Sequence, residues 1–429
     1  HDEACCRSEG LFKFDSWTWR YFRSLRQPCC SFSLFCFFIE YSVKMKSLAI
    51  LGSTGSVGKS TLDVIRKNKD EFKIELLAAR TNFRLMAEQC NEFTPKFVYL
   101  ENKEAQKSFL DELGTNNPQV TFLSNEKELN QIIASQDLEI VVAAMVGIAG
   151  LKPVFQAIKH GKHILLANKE SYVVAGEILN NLSKKTDATI FPIDSEHSAI
   201  HQCLMGVKNE ESISRIILTG SGGPFLNRDI NDFKNITPKE ATAHPIWNMG
   251  DKISVDSSTM MNKCLEIIEA KWLFGFDDID VLIHPEGIIH SLVEFKDKSL
   301  IAQLSIPDMK IPIAYGLGFP ERINSGCDSL DFEEISNLSF VKPDLKKFPS
   351  LVLAKDCINS GGTSFSTLNA ANEECVASFL EGRIGFLDIH KIISEVLDKS
   401  DIKMVKEIED IFEADLQSRE MTKELININ

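Results

Sequence analysis

Asp194 and Glu196 sit two residues apart in "FPIDSEHSAI", directly after an apolar run. If the chain is extended there, both carboxylates point to one side, where two anions repel unless a cation or proton lies between them. Oxygen ligands favour a hard divalent ion, Mg2+ or Mn2+, over zinc. Acidic pairs on loops are also common as plain solvated charges. "DSSTMMNKCLE" strengthens the metal reading: on a helix, Asn262, Lys263 and Glu266 are three and four residues apart and fall on neighbouring faces. Glu266 would complete a three-carboxylate metal site with Asp194 and Glu196. Lys263, Asn262 and Ser257 would offer a cation and neutral hydrogen-bonding groups to a phosphate or to hydroxyls. The plainer alternative is a structural helix with an ordinary Lys and Glu pair.

Two further stretches have the composition of a binding site. "LTGSGGPF" is a glycine-rich loop after a strand, able to present backbone amides and Ser221 to an anion, or else a tight connection with no ligand. "AHPIWNMG" sets His244, Trp247 and Met249 around Pro245 and before Gly250, which suits a movable lid that covers a substrate with an indole ring. A buried Trp in an irregular core segment would look the same.

"AILGSTGSVGKSTLDVI", residues 49–65, carries two phosphate motifs at once. The triphosphate loop needs a glycine five residues before the one preceding Lys59; that place is Ser53, and the motif fails. The dinucleotide reading puts a strand before Gly52-x-x-Gly55-x-x-Gly58 and a helix from about Val57, whose amides face a pyrophosphate. Its first gap is one residue longer than the commonest fingerprint, and an ordinary glycine-rich turn stays open as an alternative. Where an NAD site has an acidic residue at the end of the second strand, this chain has Arg80, Thr81 and Asn82. A cation with two hydrogen-bonding groups suits a 2′-phosphate and hence NADP, unless Arg80 is a solvated surface charge.

The elements that must position these residues follow from pattern. From Leu48 to about Ile193 short apolar runs alternate with helical stretches, which implies a parallel sheet covered on both faces, a doubly wound Rossmann-type α/β domain over 45–193. An α+β catalytic domain for metal and substrate is expected over 194–330, a linker over 331–350 and a helical C-terminal domain over 351–429. The formal charge of −14 among 429 residues excludes a general affinity for nucleic acid or anionic membrane, both polyanions. Residues 1–44 hold five of the eleven cysteines and no methionine. They read as upstream sequence preceding an initiator at Met45, or as a targeting segment, since Arg20, Arg23 and Arg26 precede an apolar run too short to span a bilayer. The other six cysteines form no CxxC pair and fit reduced thiols in a cytoplasmic protein. A plastid-targeted protein is the alternative if residues 1–44 are genuine.

Taken in order, "GSTGSVG", "LLANKES", "DSEH", "LTGSGGPF", "KISVDSSTMMNK" and "LNAANE" resemble the 1-deoxy-D-xylulose 5-phosphate reductoisomerase family over about Met45 to the C-terminal helices. The resemblance implies NADPH-dependent conversion of that sugar phosphate to 2-C-methyl-D-erythritol 4-phosphate in non-mevalonate isoprenoid synthesis, in a homodimer. It implies Asp194, Glu196 and Glu266 as ligands of Mg2+ or Mn2+. It implies Ser195, Ser221, His244, Ser257, Asn262 and Lys263 on the substrate, with Lys169 and Glu170 beside the reacting centre. Trp247 and Met249 would belong to the lid, and His290 and Met309 would line the pocket. Thr54, Gly55, Ser56, Val57, Asn82, Asn168, Glu170 and Gly250 would contact NADPH, joined by Arg80 and Thr81. Two departures stand out: Arg80-Thr81 where the family often has Gly-Lys, and Glu286-Gly287 where Gln-Ser is frequent. The sequence also leaves two other readings open, a metal-free NADP oxidoreductase of semialdehyde or homoserine type and a non-catalytic NADPH-sensing module.

Overall fold

The computed structural model describes residues 45–113, 120–247 and 249–428. The expectations for residues 1–44 lie outside these. Among the described residues, seven strands form a parallel sheet: β1 Lys46–Leu51, β2 Phe72–Ala79, β3 Phe97–Leu100, β4 Thr121–Leu123, β5 Ile140–Ala143, β6 His163–Leu166 and β7 Thr189–Pro192. Their order is β4-β3-β2-β1-β5-β6-β7, with every neighbouring pair parallel. Side chains alternate across the sheet: Leu48 and Ile50 of β1 enter the core on one face, Ala49 and Leu51 the core on the other. Helices cover both faces, as runs without polar alternation require. The short edge strand β4 is an addition to the sequence reading.

The strand order reverses between β1 and β5, and the crevice at such a reversal is where open α/β sheets bind ligands. Two glycines shape it. Gly52 has φ +94°, and a Cβ there would run into the carbonyl of Ala144 at the end of β5. Gly58, in the first turn of the helix Ser56–Lys67, lies so close to the Gly52 carbonyl and the Ser53 backbone that a Cβ has no room.

The second sheet has β8 Ile213–Gly220, β9 Ile279–Ile283, β10 Ile289–Phe295 and β11 Leu300–Leu304 in the order β11-β10-β8-β9. Only β8 and β9 pair in parallel. The helix Met261–Phe274 joins the layers. Its Ala270 packs with Ile216, Leu218 and Val293 of this sheet, while Cys264, Leu265 and Ile268 enter a core shared with Val173 and the helices Ser350–Ser360 and Ser364–Leu380. The helix Lys310–Gly318 returns to the first sheet, where Ile313, Ala314 and Leu317 pack with Leu165 and Ile193. That return brings Met309 to the crevice.

Candidate active site

After Pro192 the chain turns at once into the helix Ser195–Cys203, so the extended segment expected at Asp194 and Glu196 is instead a helix start. Asp194 keeps extended dihedrals as the flanking residue and Glu196 occupies the first turn, where the helix dipole favours an anion. The helix Met261–Phe274 brings Glu266 alongside. Asp194, Glu196 and Glu266 each present an oxygen, and these atoms lie within 4.8 Å of one another.

Two lysines bind this cluster together. Lys169 Nζ lies 2.6 Å from Asp194 Oδ2 and 3.1 Å from Glu266 Oε1, and donates to Asn262 Oδ1 at 2.8 Å. Lys263 Nζ lies 2.6 Å from Glu196 Oε1 and 2.5 Å from Glu266 Oε2, and also donates to the Thr219 carbonyl. Asn262 donates to Glu266, and Ser195 Oγ to Glu196 Oε2 at 2.5 Å. Burial works against the charge on Lys169, but Asp194, Glu266 and Glu269 raise it well above the ordinary lysine value. Lys263 is raised in the same way by Glu196 and Glu266. Burial would raise Asp194, yet Lys169 and His197 hold it far below the usual carboxylate range. Glu266 goes the other way: burial, then Glu196, push it up to about 7 against the pull of both lysines. Three carboxylates thus face two ammonium groups, and Glu266 is the one left undercompensated.

Behind the cluster lie two residues to which the sequence reading assigned no role. His197 Nε2 is 3.0 Å from the Glu266 carbonyl, so this nitrogen carries a hydrogen and donates. Its Nδ1 faces Glu269 Oε2 at 3.4 Å, and both side chains are buried. Glu269 is three residues beyond Glu266 on the same helix, a spacing visible in the sequence.

A cavity of about 320 Å3 opens above the cluster. Lys169, Asp194, Ser195, Glu196, Asn262 and Lys263 form one wall. Ser56, Val57 and Ser60 of the first helix form another, and Met309 with Asp308 a third. Ser221, His244, Trp247, Met249 and Ser257 also line it. His244 Nδ1 accepts from the amides of Ile246 at 3.2 Å and Trp247 at 2.9 Å. Those two donors fix the neutral ring with its hydrogen on Nε2, which donates to Ser221 Oγ at 3.1 Å. Burial lowers the His244 pKa below the ordinary imidazole value, which favours that neutral form.

The remaining expected residues stand outside this lining. Glu266 is beneath its wall, and His290 lies behind Trp247, ring centroids 6.4 Å apart, with Nε2 at 3.3 Å from the Ser305 carbonyl. Glu170 faces Lys252 rather than the cavity. Thr54 and Gly55 follow β1, Arg80, Thr81 and Asn82 follow β2, and Asn168 follows β6, along the carboxyl edge of the first sheet. Asn168 accepts from the Ser171 amide at 3.1 Å and donates to the Gly147 carbonyl at 3.0 Å, linking the ends of β5 and β6. Asn82 caps the next helix through Leu85 N. Gly250 is exposed before the helix Asp251–Ser258.

Comparison with known proteins bears on the whole arrangement. A family model described as 1-deoxy-D-xylulose 5-phosphate reductoisomerase matches residues 48–176, and models of C-terminal domains of that enzyme match residues 190–274 and 304–421. A 1-deoxy-D-xylulose 5-phosphate reductoisomerase of Ralstonia pickettii is 45% identical over 386 residues, 89% of this chain and 98% of its own length. A crystal structure of DOX-P reductoisomerase in complex with NADPH, fosmidomycin and magnesium is similar with a TM-score of 0.84 at 39% identity, covering 90% of this chain and 99% of that one. The Zymomonas mobilis reductoisomerase in complex with NADPH gives 0.83 at 37% identity, covering 89% and 99%.

Proposed function

Because this chain belongs to the 1-deoxy-D-xylulose 5-phosphate reductoisomerase family and is an NADPH-dependent oxidoreductase, we propose that it converts 1-deoxy-D-xylulose 5-phosphate to 2-C-methyl-D-erythritol 4-phosphate. The reaction combines rearrangement of the carbon skeleton with reduction of the resulting aldehyde, in the non-mevalonate route to isoprenoid precursors. The observation that carries this reading is the convergence of Asp194 and Glu196, on the wall of a cavity that also reaches the Ser56 helix terminus, with Glu266 beneath that wall.

The three carboxylates suit a divalent cation on chemical grounds: their donors are all oxygen, and they outnumber the ammonium groups that now face them. When bound there, Mg2+ or Mn2+ supplies a Lewis acid that polarises substrate oxygens and orients the skeleton. NADPH supplies the hydride. The chain's own groups do the rest. Lys169, Asn262, Lys263 and Ser195 orient the substrate's oxygens by charge and hydrogen bonds, which is a positional contribution. Ser221, Ser257 and the Nε2–H of His244 hold the phosphate, with Met309 and His290 shaping the pocket. Trp247 and Met249 cover the substrate and exclude water, so that binding energy taken from the phosphate is used to close the site. The amides of Ser56 and Val57, beside Thr54 and Gly55, face the pyrophosphate of the cofactor. Asn168 and Gly250 contact it nearer the reacting centre, with Glu170 held behind them by Lys252, and Arg80, Thr81 and Asn82 take its 2′-phosphate.

No helix among the described residues is long and apolar enough to cross a membrane. A homodimer is part of the proposal. The test is NADPH oxidation, followed at the nicotinamide absorbance, with the sugar phosphate and Mg2+ or Mn2+. Turnover is expected to stop with EDTA and return with added metal. Turnover that survives EDTA would sink the metal role, and NADPH binding without turnover would favour a sensor.

A further inference from the structure

Lys252 and Glu170 form an ion pair that lies behind both the cofactor crevice and the substrate cavity. Lys252 Nζ is 2.8 Å from Glu170 Oε1 and 2.9 Å from Asp256 Oδ2, and the side chains of those two carboxylates are only 7% and 2% exposed. Asn372, from the helix Ser364–Leu380, donates to Asp256 Oδ1 at 2.9 Å. Asn168 donates to the other oxygen of Glu170 at 3.3 Å. The contacts therefore run without a break from the carboxyl edge of the first sheet, through Glu170 and Lys252, to the C-terminal helices. Burial opposes the charge on Lys252, but Asp256, Glu170 and Glu373 raise its pKa far above the ordinary lysine value, so the ammonium is kept.

The places of the two residues in the chain give the pair its meaning. Lys252 is the second residue of the helix that starts directly after the segment 244–250, whose Trp247 and Met249 line the cavity. Glu170 follows Lys169, which holds both Asp194 and Glu266. One ion pair thus ties the root of the covering segment to the helix start that carries Lys169.

We propose that Lys252 is a positioning residue that couples closure of the segment 244–250 over the substrate to alignment of Lys169, by holding Glu170 from the root of that segment. The inference rests on the reading of this segment as a cover for the sugar phosphate. A cation is needed because removing it leaves two buried carboxylates, Glu170 and Asp256, without their shared partner.

The experiment compares K252M, E170Q, their double variant and K252R in the full chain. It measures steady-state turnover together with the rate of the Trp emission change on mixing with the sugar phosphate, W247F identifying the Trp247 signal. K252M is expected to lower kcat by about 10²-fold, the scale of a misplaced reacting group, and to slow the emission change in parallel. K252R is expected to recover part of both, and the double variant to be no worse than the worse single variant. If K252M does not fold, E170Q carries the same test, since it leaves Lys252 paired with Asp256. Losses that multiply in the double variant would overturn the inference, as would a fall in kcat with the emission change at its original rate. Absence of turnover in the unmodified protein would overturn the functional reading and this inference with it. Turnover there with independent variant effects would overturn this inference alone.

Discussion

The crevice beside β1 and the charge cluster around Glu266 are built on opposite principles. The crevice is made of backbone: Gly52 takes a left-handed conformation against β5, and Gly58 lets a helix press onto the turn that precedes it. Side-chain polarity contributes little there, and what matters is that no Cβ intrudes. The cluster is made of ionised side chains that define one another, Lys169 and Lys263 between Asp194, Glu196 and Glu266. A backbone site couples ligand binding to stability, because the same close approach serves both. A charge site can set them against each other, since its groups are arranged for a ligand and strain the protein in its absence.

The largest effect separating the two is expected from Glu266→Gln. The variant keeps the shape of the side chain and removes the carboxylate that burial and Glu196 already disfavour. Turnover should fall by about 10²–10³-fold, the range seen when one preorganised electrostatic partner is lost. The melting temperature of the metal-free protein should stay the same or rise. Mn2+ binding, read by electron paramagnetic resonance, should weaken. A clear loss of stability with normal Mn2+ affinity would mean that Glu266 serves the core rather than a cation.

Gly58→Ala is expected to give the opposite signature. Its Cβ meets the Gly52 carbonyl and the Ser53 backbone, neither of which can swing aside as a side chain would. Overpacking of this kind costs about 1–3 kcal/mol. The melting temperature should drop and the KM for NADPH rise, with Mn2+ affinity unchanged. If stability is lost and NADPH binding is not, the crevice does not hold the cofactor.

How far each region could be read from sequence follows the same division. The first sheet was legible because its strands are buried on both faces and stand out as unbroken apolar runs, and the glycine spacing marked the turn after β1. The edge strand β4 was not, since three residues with one buried side chain carry no periodicity. In the cluster, Asn262, Lys263 and Glu266 were legible as helical neighbours at three and four residues. The helical start at Glu196 was not legible, because the flanking residue Asp194 is itself extended and the first helical turn after it looks like more strand. The Lys252–Glu170 pair left no trace, since its partners are 82 residues apart and nothing in either segment names the other. Chain spacing reveals neighbours on one element, whereas contacts between elements had to be argued from the chemistry of the residue types.

A smaller effect should distinguish two roles of His244. His244→Asn keeps an acceptor where Nδ1 meets the amides of Ile246 and Trp247, and His244→Gln keeps a donor nearer Nε2. If the Nε2–H holds the phosphate, H244N should raise the KM for the sugar phosphate about tenfold, the scale of one hydrogen bond to a charged group, and H244Q should raise it less. The reverse order would assign His244 to shaping the loop. Burial also holds the folded pKa of His244 below 6.5. Its contribution to stability is therefore fully present above pH 6.5 and lost as the pH falls from there through the lower folded value. Thermal melts across this range should show a shallower slope for H244N than for the unmodified protein.

The smallest effect is expected at Arg80, where the two principles meet, a side-chain charge placed at the edge of a backbone-built crevice. Its side chain is 82% exposed, with Glu101 no nearer than 4.0 Å, so water screens whatever it does. An exposed pair of this kind contributes at most about 1 kcal/mol, so Arg80→Met should raise the KM for NADPH by up to about fivefold. The 2′-phosphate is the group that distinguishes the two nicotinamide cofactors, so the KM for NADH should not move. Raising the salt concentration should shrink the difference between this variant and the unmodified protein, because the interaction is Coulombic and faces solvent. An equal loss with NADH and NADPH would mean that Arg80 supports the turn after β2 and that Thr81 and Asn82 alone face the phosphate. In that case cofactor choice would rest, like the rest of the crevice, on backbone and neutral groups, and the division between the two regions would be complete.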